Sequence, residues 1–125
     1  MSTAGEQTRR AATFAAAAED LKAERLVALD VRELTSFADT FIVATGNSDR
    51  HARSIADAVI EAAKAAGERP VGVEGYDEGR WVLIDLGDVI VHIFQADVRE
   101  DYDLERLWSD APSLPLPEDA TAALS

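Results

Sequence analysis

The chain has 125 residues, 47% hydrophobic and 29% charged, which predicts one compact domain, and no apolar run approaches the roughly 20 residues of a membrane span. The absence of cysteine excludes disulfides, thiolate metal sites and a cysteine nucleophile, and favours a reducing, cytoplasmic location. With 24 acidic and 12 basic residues the net charge is −12, so a nucleic-acid backbone would be repelled and a basic partner is favoured.

The first half of the chain is predicted to form a helix, two strands and a second helix. Apolar residues at helical spacing predict an amphipathic helix over about residues 7–24. Arg25–Val31 and Thr40–Thr45 are predicted strands, and the second is so continuously apolar that we expect it to be covered on both faces. Ser48 can cap the next helix, which Gly67 would end.

The second half of the chain is predicted to contain three strands and a short helix. Pro70–Val73 suits an edge strand, because proline cannot donate to a strand ladder. Arg80–Leu86 and Val89–Phe94 form a predicted hairpin, and Val98–Trp108 a predicted helix. Alternating strands and helices with one antiparallel hairpin indicate an α/β (α+β mixed) domain, with a mixed sheet of about five strands and helices mainly on one face.

The hairpin is the most informative segment, because a loop of only two residues fixes its register. Leu83 should then lie opposite His92, and Trp81 opposite Phe94. One face is wholly aliphatic and suits the core: Val82, Ile84, Leu86, Val89, Val91 and Ile93. The other face is mixed: Trp81, Leu83, Asp85, Ile90, His92 and Phe94. This mixed face is predicted to be either a second core layer or a surface for a partner.

The acidic residues are concentrated around the hairpin. Residues 71–110 carry 11 acidic and 3 basic side chains. A partner that approached the mixed face would meet an acidic rim, which complements a surface rich in lysine and arginine. The alternative is that these acidic residues only solvate loops.

Catalysis has weak support in the sequence. Asp85 and His92 are diagonal neighbours in the predicted hairpin, and a hydrogen bond between them would suit a general base, but no nucleophile shares their face. Ser48 begins a helix that could hold an anion, yet no glycine-rich nucleotide motif is present. The side chains of Asp85 and Asp88 should diverge, which disfavours a two-metal site. We predict a protein that is not an enzyme and has no cofactor or metal; an enzyme using Asp85, Asp88 and Ser48 is the alternative.

Several blocks of the sequence occur in one ordered pattern. The blocks are Ala28–Val31, Thr45-Gly46, Ser54–Asp57, Pro70–Gly75, Trp81–His92 and Leu104–Trp108. Together they resemble the ribosomal silencing factors, also called the Iojap family, over a domain at residues 8–108. Residues 1–7 are predicted to be a flexible N-terminus, and 109–125 a disordered tail because prolines follow Trp108.

The resemblance implies a fold related to the nucleotidyltransferases but without their catalytic carboxylates. Members of the family bind the large ribosomal subunit through ribosomal protein fourteen, where the small subunit docks. They thereby block subunit joining and damp translation when nutrients are scarce. Organellar relatives are linked to large-subunit assembly, and some members form homodimers. The resemblance thus implies a ribosomal partner, while the net charge and the lack of a long apolar run predict little direct nucleic-acid contact and no membrane.

The resemblance also directs attention to particular residues of the hairpin and its surroundings. The predicted partner-binding residues in the hairpin are Trp81, Leu83, Asp85, His92 and Phe94. The predicted rim residues are Glu74, Tyr102 and Glu105. Of these, Phe94 lies just past the matched block and is included from the register alone. Trp81 with Leu83 and Phe94 is expected to be the anchor, because buried aromatic residues dominate binding energy at interfaces.

Overall fold

A mixed β-sheet lies at the centre of the computed structural model, which describes residues 4–103, 106 and 108–116. The helices and strands are, in chain order, α1 (Ala4–Asp20), β1 (Glu24–Asp30), β2 (Thr40–Gly46), α2 (Asp49–Ala65), β3 (Gly72–Glu74), β4 (Trp81–Asp85), β5 (Val89–Gln95) and α3 (Ala96–Tyr102). No helix in the described part of the chain is long and apolar enough to cross a membrane.

The five strands follow the order β1-β2-β5-β4-β3 across the sheet. β2 and β5 are parallel at the centre, and the other neighbouring strands are antiparallel. Every residue of β2 is buried, as its continuous apolar sequence predicts for a strand covered on both faces. The mixed five-stranded sheet and the edge position of β3 are therefore confirmed.

The predicted register of the β4–β5 hairpin is confirmed. Trp81 pairs with Phe94 and Leu83 with His92. Gly87 adopts a φ of 89°, which glycine reaches without steric cost, and this lets the two-residue turn close. The predicted aliphatic face belongs to the main core, where α1 and α2 cover it.

Helix α2 begins and ends at the predicted residues. The Ser48 Oγ accepts a hydrogen bond from the His51 backbone N–H at 3.0 Å, which satisfies one of the free donors of the first turn. After the helix, Gly67 has a φ of 80°, and the Glu68 N–H donates to the Ala63 carbonyl at 2.8 Å. Ile55 is among the α2 residues that pack into the main core.

The N-terminus is ordered earlier than predicted. Helix α1 starts at Ala4, and the buried Gln7 side chain donates hydrogen bonds from Nε2 to Asp30 Oδ1 (3.1 Å), the Asp39 carbonyl (2.9 Å) and Thr40 Oγ1 (3.1 Å). These bonds fix the first turn of α1 to the corner between β1 and β2. The prediction of a flexible segment over 1–7 is therefore wrong for residues 4–7, and residues 1–3 lie outside the described part.

The C-terminal part of the chain differs from the predicted helix over Val98–Trp108 and the predicted disordered tail over 109–125. Helix α3 ends at Tyr102, because Asp103 adopts a left-handed conformation with a φ of 42°. Residues 112–116 are not a free tail but run beside the edge strand β1. The Asp30 N–H donates to the Pro112 carbonyl and the Leu114 N–H donates to the Ala28 carbonyl, both at 2.8 Å.

This C-terminal strap, residues 112–116, is ordered because β1 would otherwise expose unpaired backbone groups at the edge of the sheet. Proline disfavours a helix but can still accept a hydrogen bond through its carbonyl, as Pro112 does. Leu116 then enters the main core with only 7% of its surface exposed. The predicted tail begins too early at 109, and residues 117–125 lie outside the described part.

Replacement of Leu116 by Ala should lower the free energy of unfolding by about 1–2 kcal/mol. The cost of the void is limited because a terminal segment can detach from the sheet. Urea denaturation measures this change, with Leu34→Ala as the control, because Leu34 is 42% exposed and its truncation should change stability by less than about 0.5 kcal/mol. Equal stability of the two variants would contradict the docking of the strap.

Candidate partner-binding surface

The mixed face of the hairpin is covered at one side of the sheet and open at the other. Val98 of α3 packs on Val43 and Phe94, and Trp108 packs on Phe41, so β2 and β5 are covered. Tyr102 of α3 contacts β4 at Trp81, whereas Leu83 further along β4 is only half-buried and Glu74 of β3 is exposed. We call this open strip, formed by Glu74, Trp81, Leu83 and Asp85, the hairpin surface.

A continuous series of aromatic rings underlies the hairpin surface. The Trp81 ring centroid lies 4.8 Å from those of both Phe94 and Tyr102. The His92 ring stacks on Phe94 at 6.0 Å with only 6° between the planes, and meets Phe41 edge to face at 5.1 Å. Such ring pairs contribute about 0.5–1.5 kcal/mol each beyond the area they bury. Trp81 therefore stands on a well-packed base.

His92 orients the Trp81 side chain by accepting a hydrogen bond from it. The Trp81 Nε1–H donates to His92 Nδ1 at 3.2 Å, so the neutral imidazole carries its proton on Nε2. His92 is only 5% exposed, and its Nε2 has no hydrogen-bond partner among the described residues. Burial lowers the pKa of His92 from its ordinary 6.5 to about 4. His92 is therefore neutral at physiological pH and fixes the orientation of the indole.

The hydrogen bond between Asp85 and His92 that would suit a general base is not made. Asp85 Oδ1 instead accepts from the Gly87 backbone N–H at 2.8 Å, within the turn. Asp88 pairs with Arg10 of α1, on the opposite side of the sheet, so the two carboxylates diverge as predicted. No group of three or more histidine, aspartate or glutamate side chains in the described residues is placed to hold a metal ion. Asp85 and His92 are therefore not arranged as a general-base pair.

The predicted site residues occupy three different environments. Trp81, Leu83 and Asp85 are half-buried, whereas Glu74 and Tyr102 are exposed, Tyr102 by 54%. The other two described residues are too buried to contact a partner. Val98 of α3 and Trp81 pack on Phe94, which has no exposed surface, and the rings of Trp81 and Phe41 pack on His92, which has almost none. They support the hairpin surface from beneath. Glu105 lies outside the described residues.

Glu78 and Asp101 belong to the acidic rim but were not singled out from the sequence. Glu78 lies in the β3–β4 loop and Asp101 on α3, and both line one hollow beside Trp81. Their separation of 23 residues leaves no local motif. The only sequence signal is the excess of acidic residues in 71–110, which locates the charge without showing which side chains meet.

The buried neutral His92 predicts a specific dependence of stability on pH. The unfolded chain protonates this histidine near pH 6.5, whereas the folded chain resists protonation to about pH 4. The resulting stability is therefore fully present above pH 6.5 and is lost as the pH falls from 6.5 to 4, by about 3 kcal/mol at most. Urea denaturation across this range should show the loss.

His92→Gln is the matched control, because glutamine can still accept from the Trp81 Nε1–H but does not titrate. The difference in stability between wild type and this variant should shrink as the pH falls from 6.5 to 4. A difference that does not change with pH over this range would contradict a buried neutral His92.

Comparison with known proteins relates this chain to a family. The family model "Ribosomal silencing factor during starvation" matches residues 4–124. The ribosomal silencing factor RsfS of Bacillus subtilis is 47% identical over 98 residues, covering 78% of this chain and 83% of that protein.

Solved structures of similar proteins have the same fold. A crystal structure of a protein from Chromobacterium violaceum has a TM-score of 0.78 and 40% identity, covering 83% of this chain and 85% of its own. One from Bacillus halodurans has a TM-score of 0.75 and 39% identity, covering 90% and 99%. The five-stranded mixed sheet is therefore also the fold of these similar proteins.

Proposed function

Because the chain belongs to the ribosomal silencing factor family, we propose that it represses translation by binding the large ribosomal subunit and blocking the joining of the small subunit. The proposed contact is with ribosomal protein fourteen, in the cytoplasm, and under nutrient limitation. The protein acts by occupying a surface and catalyses no reaction. The observation that carries this proposal is the open, acidic-rimmed hairpin surface.

The chemistry of the hairpin surface suits a basic protein partner. Trp81 and Leu83 supply apolar area at its centre, and Glu74 and Glu78 supply negative charge at its edge. An apolar centre with a charged rim is the usual composition of a protein interface. Bare RNA fits less well, because the carboxylates would repel its phosphates.

Steric repression requires only that the bound protein stay long enough on the surface of the large subunit where the small subunit docks. Residence time depends mainly on a few well-packed anchors, whereas rim charges mainly speed the encounter. Trp81 meets the requirement for an anchor because Phe94 and His92 hold it from beneath. The rigid base means that little side-chain freedom is lost on binding.

Replacement of Trp81 by Ala should weaken binding to isolated large subunits by at least about 30-fold, the cost of removing an aromatic anchor. Sedimentation of the protein with large and with small subunits measures the affinity, and light scattering measures subunit joining. The wild type should bind the large subunit and prevent joining, whereas the variant should do neither at matched concentration.

Two further variants separate binding from folding. Leu83→Lys changes a half-buried side chain of the hairpin surface without removing the Trp81–His92 hydrogen bond, and it should also abolish binding. Phe37→Ala removes an aromatic side chain that is 60% exposed and lies outside the hairpin surface, and it should bind normally. If the Leu83→Lys variant is folded and still binds large subunits normally, the hairpin surface is not the binding site.

Binding should weaken as salt concentration rises, because a charged rim facing a basic patch is screened. Glu74→Lys should lower the affinity about tenfold at low salt and reduce the salt dependence. Glu61→Lys makes the same charge change on the exposed side of α2, in the opposite layer, and should have little effect. The affinities follow from sedimentation at several salt concentrations, and equal effects of the two variants would contradict the electrostatic part of the proposal.

A homodimer that uses the hairpin surface is the alternative arrangement. Analytical ultracentrifugation distinguishes it, because Leu83→Lys would then convert a dimer into a monomer. A role in large-subunit assembly would instead appear as the accumulation of incomplete subunits when the protein is absent, while joining of mature subunits stayed normal.

A further inference from the structure

A hollow of about 320 Å³ lies beside the hairpin surface, between α3 and the β3–β4 loop. Its walls include two aromatic side chains and two carboxylates: Trp81, Tyr102, Glu78 and Asp101. The rings of Trp81 and Tyr102 meet at an angle of 51° with their centroids 4.8 Å apart, and so form a corner. Aromatic and acidic groups thus converge on one concave space.

This combination has a definite chemical preference. The face of an aromatic ring attracts a cation, most strongly for tryptophan, and a carboxylate accepts the N–H donors of that cation. Arg80 also lines the hollow, but its guanidinium pairs with Asp97 at 3.2 Å. Its charge is therefore directed at Asp97, and Glu78 and Asp101 leave the hollow negative.

The β3–β4 loop, which carries Glu78, packs closely against neighbouring backbone at two glycines. Gly75 has a φ of 75°, and a Cβ there would lie 2.1 Å from the Trp81 carbonyl oxygen. Gly79 has a φ of 67°, and a Cβ there would lie 2.6 Å from the Asp49 carbonyl oxygen. The Gly79 N–H closes the turn onto the Gly75 carbonyl at 3.0 Å, so two constrained glycines fix the loop on both sides of Glu78.

We propose that this hollow binds an arginine side chain of the protein partner. The guanidinium packs against Trp81 and Tyr102, and its N–H groups point toward Glu78 and Asp101. Arginine fits better than lysine because its flat guanidinium stacks on rings, carries five donors and is weakly hydrated. This inference deepens the proposed function, since it states which side chain of a basic partner enters beside the anchor.

The indole N–H resonance of Trp81, recorded by 1H–15N NMR on the full chain, provides a direct test. Trp108→Phe assigns the two indole signals. The probes are three capped tripeptides, acetyl-Gly-X-Gly-amide, where X is arginine, lysine or citrulline, the neutral isostere of arginine. The arginine peptide should shift the Trp81 signal saturably in the millimolar range, on the order expected for a single side chain. The lysine peptide should bind at least about threefold more weakly, and the citrulline peptide should cause no saturable shift.

Substitutions of residues that line the hollow test the site independently of the partner. Tyr102→Ala and Asp101→Asn should each weaken binding of the arginine peptide at least about fivefold. Glu100→Gln is the matched control, because Glu100 is exposed on the same helix and does not line the hollow, and it should bind like the wild type. Any of three results would overturn the inference. The first is equal shifts with the arginine and citrulline peptides, and the second is no saturable shift up to 50 mM arginine peptide, roughly the highest practical concentration. The third is unchanged binding of the arginine peptide by both Tyr102→Ala and Asp101→Asn.

The failure of this inference and the failure of the proposed function give different results. If the arginine peptide does not bind while the wild type still sediments with large subunits in a manner that depends on Leu83, only the arginine site is rejected. If the arginine peptide binds as expected and the protein does not associate with large subunits, the site stands and the proposed ribosomal role is rejected.

Discussion

The two-residue turn at Gly87-Asp88 determines how the whole sheet is assembled. It fixes the hairpin register, and a shift of one residue would exchange the aliphatic core face for the mixed face. The turn is held from two sides. The Asp88 carbonyl accepts from the Asp39 N–H at 2.7 Å, and the Asp88 side chain pairs with Arg10 of α1. The same turn thereby joins the hairpin to the central strand and to the helical layer.

The local features of this fold could be predicted from the sequence, whereas the long-range ones could not. The hairpin register follows from residue alternation and loop length, and the Ser48 cap from helix-end chemistry. In contrast, the three hydrogen bonds of Gln7 and the docking of the strap at Leu116 depend on segments that meet only after folding. The buried state of Phe94 likewise depends on where α3 packs.

The candidate site shows the same division. Residue alternation places Trp81, Leu83 and Asp85 on one face, and all three are half-buried there. It cannot distinguish a side chain that forms a surface from one that supports it, because both share the face. The register gives no means of finding Glu78 and Asp101, which the β3–β4 loop and α3 bring to one hollow.

We propose that a partner covers the open side of the sheet at β3 and β4. The rings of Trp81 and Phe94 pack together beneath this side, and its carboxylates favour a basic protein over a phosphate backbone as the proposed partner. Hydrogen–deuterium exchange of the chain, free and bound to isolated large subunits, tests this most directly. Binding should add protection at the amides of Gly72–Glu74 and of the β3–β4 loop and leave α1 and α2 unchanged. Protection confined to α1 and α2, with none at β3 and its loop, would contradict this proposal.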